Sequence, residues 1–139
     1  MDHKFFILEN EETLNEHRWF LKDDVSKYAI LLHDDIIINN PLFFKGFKSY
    51  KVSFNNPGEG LDYHGITIIP TTSLQDFKAN VIKAREINVI PEQIFKGPDG
   101  DFKSKAIKIK PEIHTQLDEL ITLCEQAIDR KMYLIHFGL

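Results

Sequence analysis

"YAILLHDDIIINN" (residues 28–40) fits two incompatible secondary structures, and the choice between them sets the rest of the sheet. Val25, Tyr28, Ala29 and Leu32 recur at i, i+3, i+4 and i+7, which suits one face of a helix. Ile30-Leu31-Leu32 and Ile36-Ile37-Ile38 are instead continuous apolar runs bounded by polar residues, which suits buried strands, and three successive β-branched residues disfavour a helix. We prefer two strands, 28–32 and 36–39, joined by a turn at His33-Asp34-Asp35. Asn39-Asn40-Pro41 then ends the second strand, because proline biases the residue before it away from helix and has no ladder donor of its own.

If these runs are strands, the flanks must supply the rest of a sheet. On the N-terminal side, "KFFILE" (4–9) reads as a strand. The segment 10–22 reads as a helix, with Asn10 as cap, Glu11 and Glu12 in its first turn, and Leu14 and Leu21 on one side. On the C-terminal side, residues 48–69 read as a β-hairpin with an enlarged loop. Tyr50, Val52 and Phe54 alternate with Lys51 and Ser53, and "NNPGEG" marks the turn. A helix follows Pro70, with Ser73 capping, Asp76 answering it, and Leu74, Phe77, Val81 and Ala84 on one face.

"INVIP" (87–91) fits a short strand or an extended loop, and 95–104 is rich in turn residues. "KAIKIK" (105–110) alternates as a strand. Pro111 opens the clearest helix, whose stripe is Ile113, Leu117, Leu120, Ile121, Cys124, Ala127 and Ile128, with Arg130 and Lys131 at its negative end. "MYLIHFGL" (132–139) is a closing strand, apolar enough to require a place inside the sheet. The expectation is one α+β domain spanning 1–139, a mixed and mainly antiparallel sheet with about three helices packed on it. The last strand, helix and strand would form a right-handed parallel crossover.

The composition allows a core without staples: 42% of residues are hydrophobic, including eleven Phe, four Tyr and one Trp. A net charge of −4 argues against nucleic acid as partner. The lysines of 96–110, interleaved with Phe95 and Phe102, are interrupted by Asp99 and Asp101 and fit the outer side of a strand. The single cysteine, Cys124, cannot close an internal disulfide, and "KFFIL" is too short for a leader or a membrane span, so the expected setting is the cytoplasm. Charge is uneven. Residues 1–35 hold nine acids against four bases, a net of −5, while 36–56 hold three lysines and no acid.

His33-Asp34-Asp35 is the first candidate for chemistry. A His-Asp pair lies at the centre of the metal-dependent HD phosphohydrolases, but that family spreads further ligands over a helical bundle, and here a triple isoleucine follows. The expected reading is a polar corner. The second candidate is "PGEGLDYHG" (57–65), where Gly58 and Gly60 permit close approach and Glu59, Asp62 and His64 could act as acid or base. Cys124 lies on an apolar stripe and reads as a small core residue. His136 faces the far side of its strand or is a satisfied core histidine. No nucleophile, metal or dinucleotide motif is present, so no catalytic residue, metal or cofactor is expected.

A small acidic α+β chain without visible catalytic machinery resembles the immunity proteins that neutralise bacterial toxins. The resemblance is one of type. It implies a basic protein partner, steered by Glu9, Glu11, Glu12, Asp23, Asp24, Asp34 and Asp35, with Trp19 and Phe20 as anchors if exposed, although Trp19 fits a core position equally well. Two other readings stand beside it. One is a small metal-free hydrolase or transferase using Glu59, Asp62 and His64. The other is a structural or regulatory subunit that pairs as a homodimer.

Overall fold

The computed structural model describes residues 2–8, 11–16, 18–22, 29–87 and 100–139, and for Glu11, Ile87 and 100–113 the backbone alone. Six strands form one sheet: β1 (Asp2–Leu8), β2 (Ile30–His33), β3 (Lys48–Lys51), β4 (Pro57–Glu59), β5 (Ile66–Ile69) and β6 (Tyr133–Phe137). Their order is β2-β1-β6-β5-β3-β4, and every pairing is antiparallel. The helices are α1 (Glu11–Leu14), α2 (Asp34–Ile38), α3 (Thr71–Ile87) and α4 (Gly100–Arg130), with 3-10 turns at Trp19–Leu21 and Pro41–Phe43. The architecture is α+β, as the pattern of apolar runs predicts.

Strand alternation sends side chains to two cores. Phe5, Leu134 and Ile69 face α3 and α4, and meet Leu74, Phe77, Val81 and Ala84 from the first helix and Leu117, Leu120, Cys124 and Ala127 from the second. All eight helix residues are the ones whose spacing marked an apolar stripe. Phe77 is the hub, its ring 4.9 Å from that of Phe47 and 6.1 Å from that of Phe5. On the opposite face Phe6, Leu8, Ile68 and Ile135 pack with Leu14 and Trp19. β6 lies between β1 and β5, so its apolar residues have ladders on both sides.

Several expectations are corrected. Residues 36–39 are not a strand: 34–38 form α2. The His33 Nδ1 accepts the Asp35 N–H at 3.1 Å, and two acids in the first turn suit the positive end of a helix. Tertiary burial of Ile36 and Ile37 outweighs their weak helix preference. The 10–22 helix is cut to one turn over 11–14, because Arg18 takes a left-handed conformation (φ 55°, ψ 37°) before the 3-10 turn.

The strand at 48–54 stops at Lys51, where Val52 turns to φ 67° and its carbonyl accepts the Trp19 indole N–H at 3.0 Å. Residues 57–59, read as loop, form edge strand β4 against β3. "KAIKIK" is not a strand but part of α4, so the parallel crossover is absent and Pro111 lies inside the helix instead of opening it. Lysine and alanine are good helix formers, and six alternating residues are too few to oppose extension of an adjoining helix. Residues 88–99, including most of "INVIP" and the start of the turn-rich excursion, lie outside the described residues.

Candidate functional site

Two histidines sit on the helix-facing side of the sheet. In β1, His3 shares a face with Phe5, and in β6, His136 shares one with Leu134. His136 stands opposite Phe5 across one ladder and opposite Thr67 across the other. Both imidazoles are fully buried. Their rings stack at 5.1 Å and 12°, and His3 Nδ1 lies 2.8 Å from His136 Nε2.

The pair continues at both ends. His3 Nε2 lies 3.0 Å from Asp34 Oδ1, placed there by the start of α2. Tyr63, from the loop between β4 and β5, donates its hydroxyl to Asp34 and holds its ring 5.3 Å from that of His3. At the inner end, His136 Nδ1 lies 3.4 Å from Thr67 Oγ1, which accepts the Asp62 N–H at 2.8 Å. The result is one line of polar atoms, Asp34–His3–His136–Thr67, with its outer end at the surface (the Asp34 side chain is 21% exposed) and its inner end in the core.

Glycines close the loop over this line. Gly60 has φ +70°, and a Cβ there would lie 2.1 Å from the Phe44 backbone. Gly138 donates to Gly65 O at 2.7 Å where a Cβ would meet Tyr63 O at 2.3 Å. Each position therefore requires a residue without a side chain.

Burial, reinforced by the neighbouring His3, pushes His136 down to about 3, so it stays neutral across the physiological range. Partial burial pushes the Asp34 carboxyl up. The hydrogen bonds from Tyr63 and His3, with the nearby His3 and His33 rings, outweigh it and hold Asp34 below the usual carboxylate range. The bond to Asp34 pushes the Tyr63 phenol up, with desolvation and the Asp34 and Asp35 charges adding to it. The site thus presents a committed carboxylate over two sealed imidazoles, of which His136 is neutral. Such an arrangement can hold or pass a proton but offers no group to attack a substrate.

The chain matches no family model, no curated protein and no solved structure.

The residues that sequence reading singled out fall as follows. Glu9, Asp23 and Asp24 lie outside the described residues, and of Glu11 only the backbone is described. Glu12 is exposed in α1. Trp19 is not a surface anchor: it is 2% exposed, in the second core. Asp34 and Asp35 open α2, and the Asp35 side chain is 68% exposed. Asp2 faces His33 across the β1–β2 ladder, so it joins them at one end of the sheet. Tyr63 brings the loop of Asp62 to that same end.

Glu59, Asp62 and His64 do not line either of the two shallow cavities described. One, of about 420 Å³, is lined by Ile30 and the α4 residues Thr115, Asp118, Glu119, Thr122, Leu123 and Gln126. The other, of about 400 Å³, is lined by Tyr50, Phe54, Pro70, Thr71, Thr72 and Tyr133. Glu59 instead accepts the Gly46 N–H at 2.9 Å, Asp62 accepts the His64 N–H at 3.3 Å, and His64 is exposed. Among the described residues no group of three His, Cys, Asp or Glu is placed to hold a metal ion, and no helix is long and apolar enough to cross a membrane. Cys124 is buried, which pushes its thiol up to about 12.

His3, Tyr63 and Thr67 were not anticipated. A signal existed for the first: His3 alternates with Phe5 and Ile7, and a histidine on a core face needs a partner. Nothing local could name that partner, which lies 133 residues away.

Proposed function

We propose that this chain acts by binding: an acidic protein that docks a basic protein partner, in the manner of immunity proteins that neutralise toxins. The observation that supports this reading is the gathering of Asp2, Asp34 and Asp35 at one end of the sheet, beside the Asp62 loop. Asp2 and Asp35 are exposed there, while the titratable imidazoles beneath are sealed from solvent. Like charges on one rim raise the encounter rate with a basic surface more than they raise affinity. The enzymatic reading through Glu59, Asp62 and His64 has less support, since Glu59 is engaged by the Gly46 N–H from the segment before β3 and Asp62 by the His64 N–H within its own loop.

The test is stopped-flow association with the partner, sought first as the product of an adjoining gene, at increasing salt. The association rate is expected to fall steeply as salt screens the rim, and Asp2→Lys with Asp35→Lys is expected to slow it roughly tenfold at low salt. A rate indifferent to both salt and charge reversal would rule the reading out.

A further inference from the structure

The imidazole line has a property that binding does not require. Asp34 can only accept, so His3 Nε2 must carry a hydrogen. When His3 is neutral its Nδ1 is then an acceptor, so the 2.8 Å contact requires the hydrogen on His136 Nε2, and His136 Nδ1 must accept from Thr67. When His3 carries a second proton, the 2.8 Å contact requires the opposite. His3 Nδ1–H donates, His136 Nε2 accepts, and the His136 hydrogen moves to Nδ1 to face Thr67 Oγ1. Both arrangements use the same heavy-atom contacts.

We infer that His3 and His136 form a one-proton store, in which a proton taken up at His3 beside Asp34 reverses the hydrogen-bond direction of the line through to Thr67. The line ends in the core at Thr67, so it is a store and not a conduit. The groups facing it decide its capacity. From α2 comes the Asp34 carboxylate, with Asp35 and the preceding His33 acting at longer range. From the β4–β5 loop comes Tyr63, whose hydroxyl is already given to Asp34, and from β5 comes the neutral Thr67. The α3 and α4 side chains in the hydrophobic cluster are apolar apart from the Cys124 thiol, while α3 also buries the Ser73 hydroxyl and α4 the Nε2 atom of His114. One carboxylate therefore compensates one proton. A second proton, on His136, would be a buried charge without a partner. Burial of His136 acts in the same direction.

If the binding reading above holds, a filled store also cancels one rim charge from beneath, and the basic partner associates more slowly. That consequence rests on the binding reading. The store itself does not.

The test is nitrogen-15 NMR of the imidazoles of the whole chain, titrated from about pH 8 to about pH 5. The expected result is a single transition. Above it both rings carry hydrogen on Nε2. Below it His3 carries two hydrogens and His136 carries one, on Nδ1. Asp34→Asn is expected to lower the proton affinity of the pair at least tenfold, and Thr67→Val is expected to lower it as well, because the reversed line loses its acceptor. The inference is overturned if His136 keeps its Nε2 hydrogen while His3 gains a proton, if His136 itself becomes cationic in the folded protein, or if neither ring changes over the range. Partner association at fixed salt, measured above and below the transition, tests the consequence separately. A store seen by NMR with no change in association removes the link to binding and leaves the store intact.

Discussion

His136 gives the fold a definite response to acid. Its ring titrates near 6.5 when free and is held down to about 3 in the folded chain, mainly by burial. Below about pH 6.5 the unfolded chain therefore binds a proton here that the folded chain refuses. The stabilisation from this residue is complete above that point and is lost as pH falls towards 3, at up to about 1.4 kcal/mol per pH unit for one proton. Filling the store at His3 does not change the sign, because a charge on His3 further disfavours one on His136. Urea denaturation at a series of pH values checks this. His136→Gln is expected to flatten the slope by about one proton per molecule, and an unchanged slope would refute the burial account. Alternation leaves His136 open between the two faces of its strand, and the strand read over 4–9 stops short of His3, so a core place for both was only partly legible. That they face each other was not, because cross-strand neighbours depend on register.

Element boundaries followed local chemistry where the cap was a familiar one and departed from it elsewhere. Asn40 caps the Pro41–Phe43 turn by accepting the Leu42 N–H at 3.0 Å, a role its sequence context suggests. His33 caps α2 with an imidazole, which is outside the usual set of capping residues, and the triple isoleucine after it argues for a strand. Reading 28–40 as strand, turn, strand therefore succeeds for residues 30–32, takes the last strand residue His33 for turn, and fails for Asp34–Ile38. His33→Ala is expected to cost about 1 kcal/mol and to speed amide exchange in Asp34–Ile38, while His33→Asn is expected to restore most of the loss. Equal stability of all three proteins, measured by denaturation, would show that the core packing of Ile36 and Ile37 alone holds the helix. The α2 start also carries Asp34 to His3, so weakening the cap should loosen the outer end of the store.

At the scale of the molecule, stability rests on two helices packed on one face of the sheet through Phe77. Its ring meets Phe5 from β1, Phe43 from the 3-10 turn and Phe47 from the approach to β3. Phe77→Ala is expected to cost about 3–5 kcal/mol, read from the denaturation midpoint. A loss below about 1 kcal/mol would place the main core elsewhere. Apolar spacing alone marks the main buried faces. The stripes of α3 and of the later turns of α4, and the apolar closing strand, follow from periods of 3.6 and 2 that any fold of this chain must respect. That β6 lies between β1 and β5, and so brings His136 to His3 and Asp34, is a matter of strand order that no local spacing carries. Periodicity says which way a side chain points, but the partner it meets is set by strand order and register, and these depend on contacts between residues far apart in the chain.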